Sequence, residues 1–192
     1  MKQTFTLISL ALLAACSSQS SSDPKPAVEE TVFVTPATPV VPEKAAPAPA
    51  PGPSATTLTL AGLGDLRIGQ AVPAGSRWAQ ISEGCHVLSS PDYPDAYAIV
   101  EGGTLRRISI SKGSRVKLAE GIGPGASEAV VKQYFSFKAT PHKYGDPPAK
   151  YLTAPNAASG ASALRFEIGS DGTVSQIHVG TMPVLGYVEG CA

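Results

Sequence analysis

The chain has 192 residues with 15 basic and 15 acidic side chains, so its formal charge balances. That balance excludes the basic surface with interleaved aromatics that nucleic-acid binding needs. Nor is there a stretch of about 20 apolar residues, the length a helix needs to cross a hydrocarbon core.

The first segment reads as a secretory signal over residues 1–15. Lys2 supplies the positive start, Phe5 to Leu13 is an apolar run broken by Thr6 and Ser9, and Ala14 and Ala15 are small enough for a peptidase. Leu13-Ala14-Ala15-Cys16 resembles the bacterial lipobox, an aliphatic residue and two small ones before cysteine. The resemblance implies that the Cys16 thiol receives a diacylglycerol and becomes the new N-terminus. The chemistry asks for cysteine because the thiolate is the nucleophile. At about 0.8 kcal/mol per buried methylene, two or three acyl chains make a stable anchor. Ser17 follows the cysteine, not aspartate. By analogy with lipoproteins of the enterobacterial type, this implies the outer membrane, with the domain facing the periplasm or the cell surface.

Residues 16–57 read as the lipidated cysteine followed by a disordered tether. Ser17 to Ser22 is polar and flexible, and prolines then recur from Pro24 to Pro53. The alternation of Ala and Pro from Ala46 to Pro51 favours polyproline II, because each proline fixes its own φ and biases the residue before it. Such a spacer advances about 3.1 Å per residue and holds whatever follows away from the lipid surface. Val32-Phe33-Val34 is its one apolar island.

Residues 58–192 suffice for one domain. In an exported chain its two cysteines, Cys85 and Cys191, read as a disulfide that ties the chain's end to the first third of the domain. A loop of that size is worth roughly 4–5 kcal/mol in the loop-entropy model. Zinc is excluded: His86 adjoins Cys85, but His142 and His178 have no ligand-like spacing to it. In Ala163 to Ile168, Leu164, Phe166 and Ile168 alternate with Arg165 and Glu167, the signature of a half-buried strand. A turn at Ser170-Asp171-Gly172 returns the chain as Thr173 to Val179. Tyr97 to Val100, the turn Glu101-Gly102-Gly103 and Thr104 to Ser111 repeat that form.

The return strands align, Gly103-Thr104-Leu105-Arg106-Arg107-Ile108-Ser109-Ile110 with Gly172-Thr173-Val174-Ser175-Gln176-Ile177-His178-Val179. Both series skip phase after the first apolar position, which a shared bulge explains. Ile68-Gly69 and Ile122-Gly123 stand upstream of the two hairpins. The second leads to a helix over Ser127 to Phe137, capped by Ser127, with Val130, Val131, Tyr134 and Phe135 as its apolar face. The first leads to a weaker helix over Val72 to Ile81, interrupted by Pro73 and Gly75. The expected fold is α+β: short helices on an antiparallel sheet, read as two tandem helix-plus-hairpin repeats. Gly121 to Glu128, a short helix ending in aromatics and a meander resemble the small envelope domains of the β-lactamase-inhibitor-protein-like and outer-membrane-assembly lipoprotein families. That likeness implies a helical layer on an antiparallel sheet. Pro141 to Gly160 departs from it, as an expected excursion from the sheet.

Catalytic motifs are missing: no Gly-x-Ser-x-Gly elbow and no His-Glu-x-x-His, and nothing calls for a cofactor. Asp92 and Asp95 lie together, but Pro-Asp clusters are chiefly turn formers. Glycines 121, 123 and 125 precede a helix without the lysine of a phosphate loop. Candidate contacts are the aromatics Trp78, Tyr93, Tyr144 and Tyr151, each weighed against a core role. The expected function is non-catalytic binding or assembly on a long tether, with an envelope protein or cell-wall component as partner. The alternatives are a hydrolase inhibitor acting through the Tyr93 and Tyr144 loops and, less favoured, an enzyme on envelope polysaccharide.

Overall fold

A computed structural model describes residues 56–82 and 86–190. The signal, Cys16, nearly all of the tether, Cys85 and Cys191 lie outside the described residues. Gly62–Leu63 (β1) and Leu66–Arg67 (β2) pair as a small two-stranded sheet. Eight further strands make one antiparallel sheet: Ala79–Gln80 (β3), Val87–Ser89 (β4), Ala96–Glu101 (β5), Thr104–Ser111 (β6), Lys138–Pro141 (β7), Lys150–Thr153 (β8), Ala163–Ile168 (β9) and Val174–Gly180 (β10). Their order is β3-β4-β5-β6-β10-β9-β8-β7. Two four-stranded meanders therefore meet through their last strands. Glu128–Tyr134 (α1) is the α-helix among the described residues. The fold is α+β with the sheet dominant, and no helix among the described residues is long and apolar enough to cross a membrane.

Both hairpins form where turn chemistry places them. Gly102 and Gly103 both take positive φ between β5 and β6, as a two-residue hairpin turn requires. The phase skips are bulges at equivalent places. Leu105 pairs with Val100 and Arg107 with Ile99, leaving Arg106 unopposed. Val174 pairs with Ile168 and Gln176 with Glu167, leaving Ser175 unopposed. Each bulge returns the following apolar residues to the core face, so Leu105, Ile108 and Ile110 are fully buried together, as are Val174, Ile177 and Val179. On that face Phe166 meets Phe135 and Phe137 at centroid separations of 5.5 and 6.1 Å.

Four expectations need correction. Val72 to Ile81 forms no helix; Pro73 removes a donor and Gly75 turns at φ +80°, so the segment stays irregular until β3. The helix expected to reach Phe137 ends at Tyr134, and of its apolar face Val131 is fully buried while Val130 and Tyr134 face solvent. Pro141 to Gly160 is no mere excursion, because it holds β8, with Tyr151 and Leu152 buried, and a 3-10 turn at Pro155–Ser159. Finally, β9 is buried on both faces, Arg165 and Glu167 included. Alternation signals two different faces; on the second, Arg165 meets residues 181–190 and Glu167 meets His142 and His178, contacts no local pattern supplies.

Candidate functional site

Two places gather functional side chains. The first is the loop Ser90 to Asp95 between β4 and β5. Its turns are closed by Tyr93 N–H on Ser90 O and Ala96 N–H on Tyr93 O, both at 3.1 Å, and the Ser90 hydroxyl accepts from Asp92 N–H at 3.3 Å. Asp95 takes φ +59°, a conformation aspartate tolerates better than most residues. The two aspartates do not act as a pair: Asp92 meets Arg77 at 2.6 Å, while the Asp95 carboxylate lies against Gly113.

Tyr93 is the centre of this loop. Its ring stacks on Trp78 at 5.4 Å and 18°, and a Cβ added at Gly64 would lie 2.2 Å from its hydroxyl. Burial, then Asp65 and Asp92, push its pKa upward, so the phenol stays a proton donor. A cleft of about 540 Å³ opens beside it, bordered by Pro91, Asp92, Pro94, Ser114 and Arg115. A smaller recess of about 280 Å³ is bordered by Tyr93, Trp78, Asp65 and Arg77.

The second place is the sheet face opposite the core. Glu167 stands between two histidines: its Oε1 lies 3.1 Å from His178 Nε2 and its Oε2 3.4 Å from His142 Nε2. His178 Nδ1 is 2.8 Å from the Ser109 hydroxyl, and His142 Nδ1 accepts the Tyr144 and Gly145 N–H groups. The pattern fits two neutral imidazoles donating through Nε2 to one carboxylate, with Ser109 donating to His178. Burial holds the His178 pKa below the ordinary value, and the neighbouring arginines add to this against Glu167. Burial pushes Glu167 upward, but its two histidines outweigh that and leave its pKa lowered.

Residues 181–190 close this face. Arg107 donates to Val184 O at 3.0 Å, Tyr187 O at 2.7 Å and the Tyr97 hydroxyl at 3.1 Å. Arg165 donates to Leu185 O at 3.3 Å and lies 3.9 Å above the Tyr151 ring. Ser109, His178 and Glu167 have the residue types of an acyl-transfer triad. Yet Ser109 is 0% and His178 1% exposed, so the hydroxyl offers no open surface to a substrate carbonyl. Among the described residues no group of three or more His, Cys, Asp and Glu side chains could hold a metal ion.

The four aromatics singled out in the sequence do not form one patch. Trp78 and Tyr151 are buried, Tyr93 is half-buried and Tyr144 is exposed. Trp78 and Tyr93 stack together near one end of the strand order. Tyr151 lies on β8 near the other end, with Tyr144 on the β7–β8 loop. Tyr144 donates its hydroxyl to Glu189. Sequence reasoning missed Arg107, Ser109, His142, Arg165, Glu167 and His178 as a cluster. A signal was present: polar residues alternate with core residues on three adjacent strands, and Ser109 and His178 fall at matching positions of the aligned segments. They are also direct partners across β6 and β10. No family model matches the chain, and searches of curated proteins and of solved structures found no match.

Proposed function

We propose that the protein is a lipid-anchored envelope protein whose α+β domain binds a partner without catalysis, through the cleft beside Tyr93. One contrast carries this reading: the open cleft stands on a braced aromatic loop, whereas Ser109, His178 and Glu167, the residues with catalytic potential, are buried. An inhibitor acting through Tyr93 and Tyr144 together is less favoured, since those loops belong to opposite ends of the strand order and Tyr144 is engaged by Glu189. A photo-crosslinking residue at Ser114, on the cleft, should capture an envelope component in intact cells. The same residue at Lys138, on exposed β7, should not. Identical products from both positions would contradict the proposal.

The anchor on Cys16 and the outer-membrane address belong to the same proposal. A Cys16→Ser variant should remain unprocessed or become soluble; partition with membranes at wild-type size would overturn the anchor. Pairing of Cys85 with Cys191 is supported by the chain around them. The Tyr187 hydroxyl lies 3.2 Å from Glu101 Oε1, and Val100 N–H meets His86 O at 2.9 Å. Tyr187 and His86 thus both reach the end of β5, and they lie four residues before Cys191 and one after Cys85 in the sequence. Thiol labelling of the denatured mature protein should require prior reduction. We also read the two meanders as diverged copies of one unit, on the support of their matching bulges and the Ser109–His178 pairing.

A further inference from the structure

We propose that the cleft beside Tyr93 is a carbohydrate site that takes a pyranose ring of a cell-wall glycan on the free face of Tyr93. This deepens the binding role proposed above and rests on it. Tyr93 borders both concavities, whereas Trp78 borders only the smaller. Trp78 stacks on one face of the tyrosine ring, which leaves the other for a ligand in the larger cleft that Tyr93 also lines. Gly64 against the hydroxyl and the turn bonds of the loop set the ring's position before any ligand arrives. A platform fixed in advance loses little side-chain freedom on binding. Pro91 and Pro94 flank it with rigid apolar surface and no N–H.

The polar groups at the rim narrow the ligand class. Asp92 offers acceptors only, Arg115 donors only, and the Ser114 hydroxyl offers both. Asp92 already holds Arg77, whereas no side chain among the described residues pairs with Arg115. A phosphate would use the guanidinium but meet the repulsion of Asp92, and a cation the reverse. A purely apolar ligand would strip water from both charges without replacing it. A sugar ring presents an apolar C–H face to the tyrosine and hydroxyls or acetamido groups that both donate and accept at its edge. The cleft, at about 540 Å³, falls in the range of small-molecule sites, and its concavity suits a ring rather than a flat protein surface.

Trp78 is the chain's one tryptophan, and its stacking on Tyr93 makes its emission a reporter of the cleft. Full-length mature protein titrated with N-acetylglucosamine oligomers and with soluble muramyl-glycan fragments should show a saturable change in that emission. Arg115→Gln, a surface change that should leave the fold intact, should weaken binding at least tenfold. Tyr93→Leu should abolish it, while Lys138→Gln should leave it unchanged. Absence of saturable binding to either glycan, binding indifferent to Arg115→Gln, or equal Arg115-dependent binding of inorganic phosphate would each overturn the carbohydrate assignment. If the glycans fail while a residue at Ser114 still crosslinks a protein, the ligand class falls and the binding role stands; if both fail, both fall.

Discussion

At the scale of single residues, the pair Glu167 and His178 ties stability to pH. Burial holds the folded His178 pKa below its ordinary value. Its contribution is therefore complete above about pH 6.5, the ordinary histidine value. As pH falls below that, the unfolded chain takes up a proton that the folded site refuses, and stability drops. Glu167, whose folded pKa is lowered, adds a loss in the same direction at lower pH. Its contribution is present above about pH 4.3 and vanishes as pH falls through the folded value. The urea midpoint should therefore decrease from about pH 7.5 to about pH 5, and His178→Gln should flatten the upper part of that decrease. The variant should also be less stable at neutral pH by about 1–3 kcal/mol, the usual penalty for leaving buried partners unsatisfied. A wild-type midpoint independent of pH over this range would falsify the assignment.

At the scale of elements, α1 shows how little local sequence a short helix has to rely on. Ser127 caps it by accepting Val130 N–H at 3.3 Å, and Glu128 reaches Lys132 at 2.7 Å and Lys150 on β8 at 3.0 Å. Two turns cannot hold themselves in water; burial of Val131 against the sheet does most of the holding. Ser127→Ala should lower stability by about 1 kcal/mol and Ser127→Asp should keep it, as read from thermal melts. The hairpins were legible because their information is local: a glycine turn flanked by period-two alternation. The bulges were legible from the phase skip. β7 and β8 were not, since β7 is exposed throughout and β8 lies in a stretch rich in proline and alanine. β8 takes its strand character from pairing with β9, and β7 from pairing with β8, which no local pattern announces.

At the scale of the whole molecule, residues 181–190 convert one sheet face from surface to interior. Three carbonyls of this segment receive the two buried guanidiniums, each bond being charge-assisted and worth about 1.5–3 kcal/mol. A chain ending after Thr181 should lose several kcal/mol in urea denaturation, because Arg107 and Arg165 would give up these acceptors. Arg107→Lys should share much of that loss, since a single ammonium cannot reproduce the fork that spans Val184, Tyr187 and Tyr97. Hydrogen exchange over residues 184–187 should accelerate in this variant. Unchanged protection would show that the apolar contacts of Val184 and Leu185, both fully buried, hold the segment alone.

The candidate cleft was half legible. Tyr93 in a Pro-Asp turn was visible, but its bracing by Trp78 and Gly64 and its neighbour Arg115 come from segments distant in sequence. The sequence by itself determined what depends on neighbours along the chain: the two hairpins with their turns, the phase of each bulge and the helix cap. The lipobox and the proline-rich composition belong to the same local class, as proposals about anchor and tether. Tertiary structure alone decided which faces meet water. A period-two strand specifies two faces but not what covers them, so Arg165 looks exposed until residues 181–190 meet it, and Glu167 until His142 and His178 flank it. The joining of two meanders through β6 and β10 was likewise a long-range choice, and it brings Ser109 to His178.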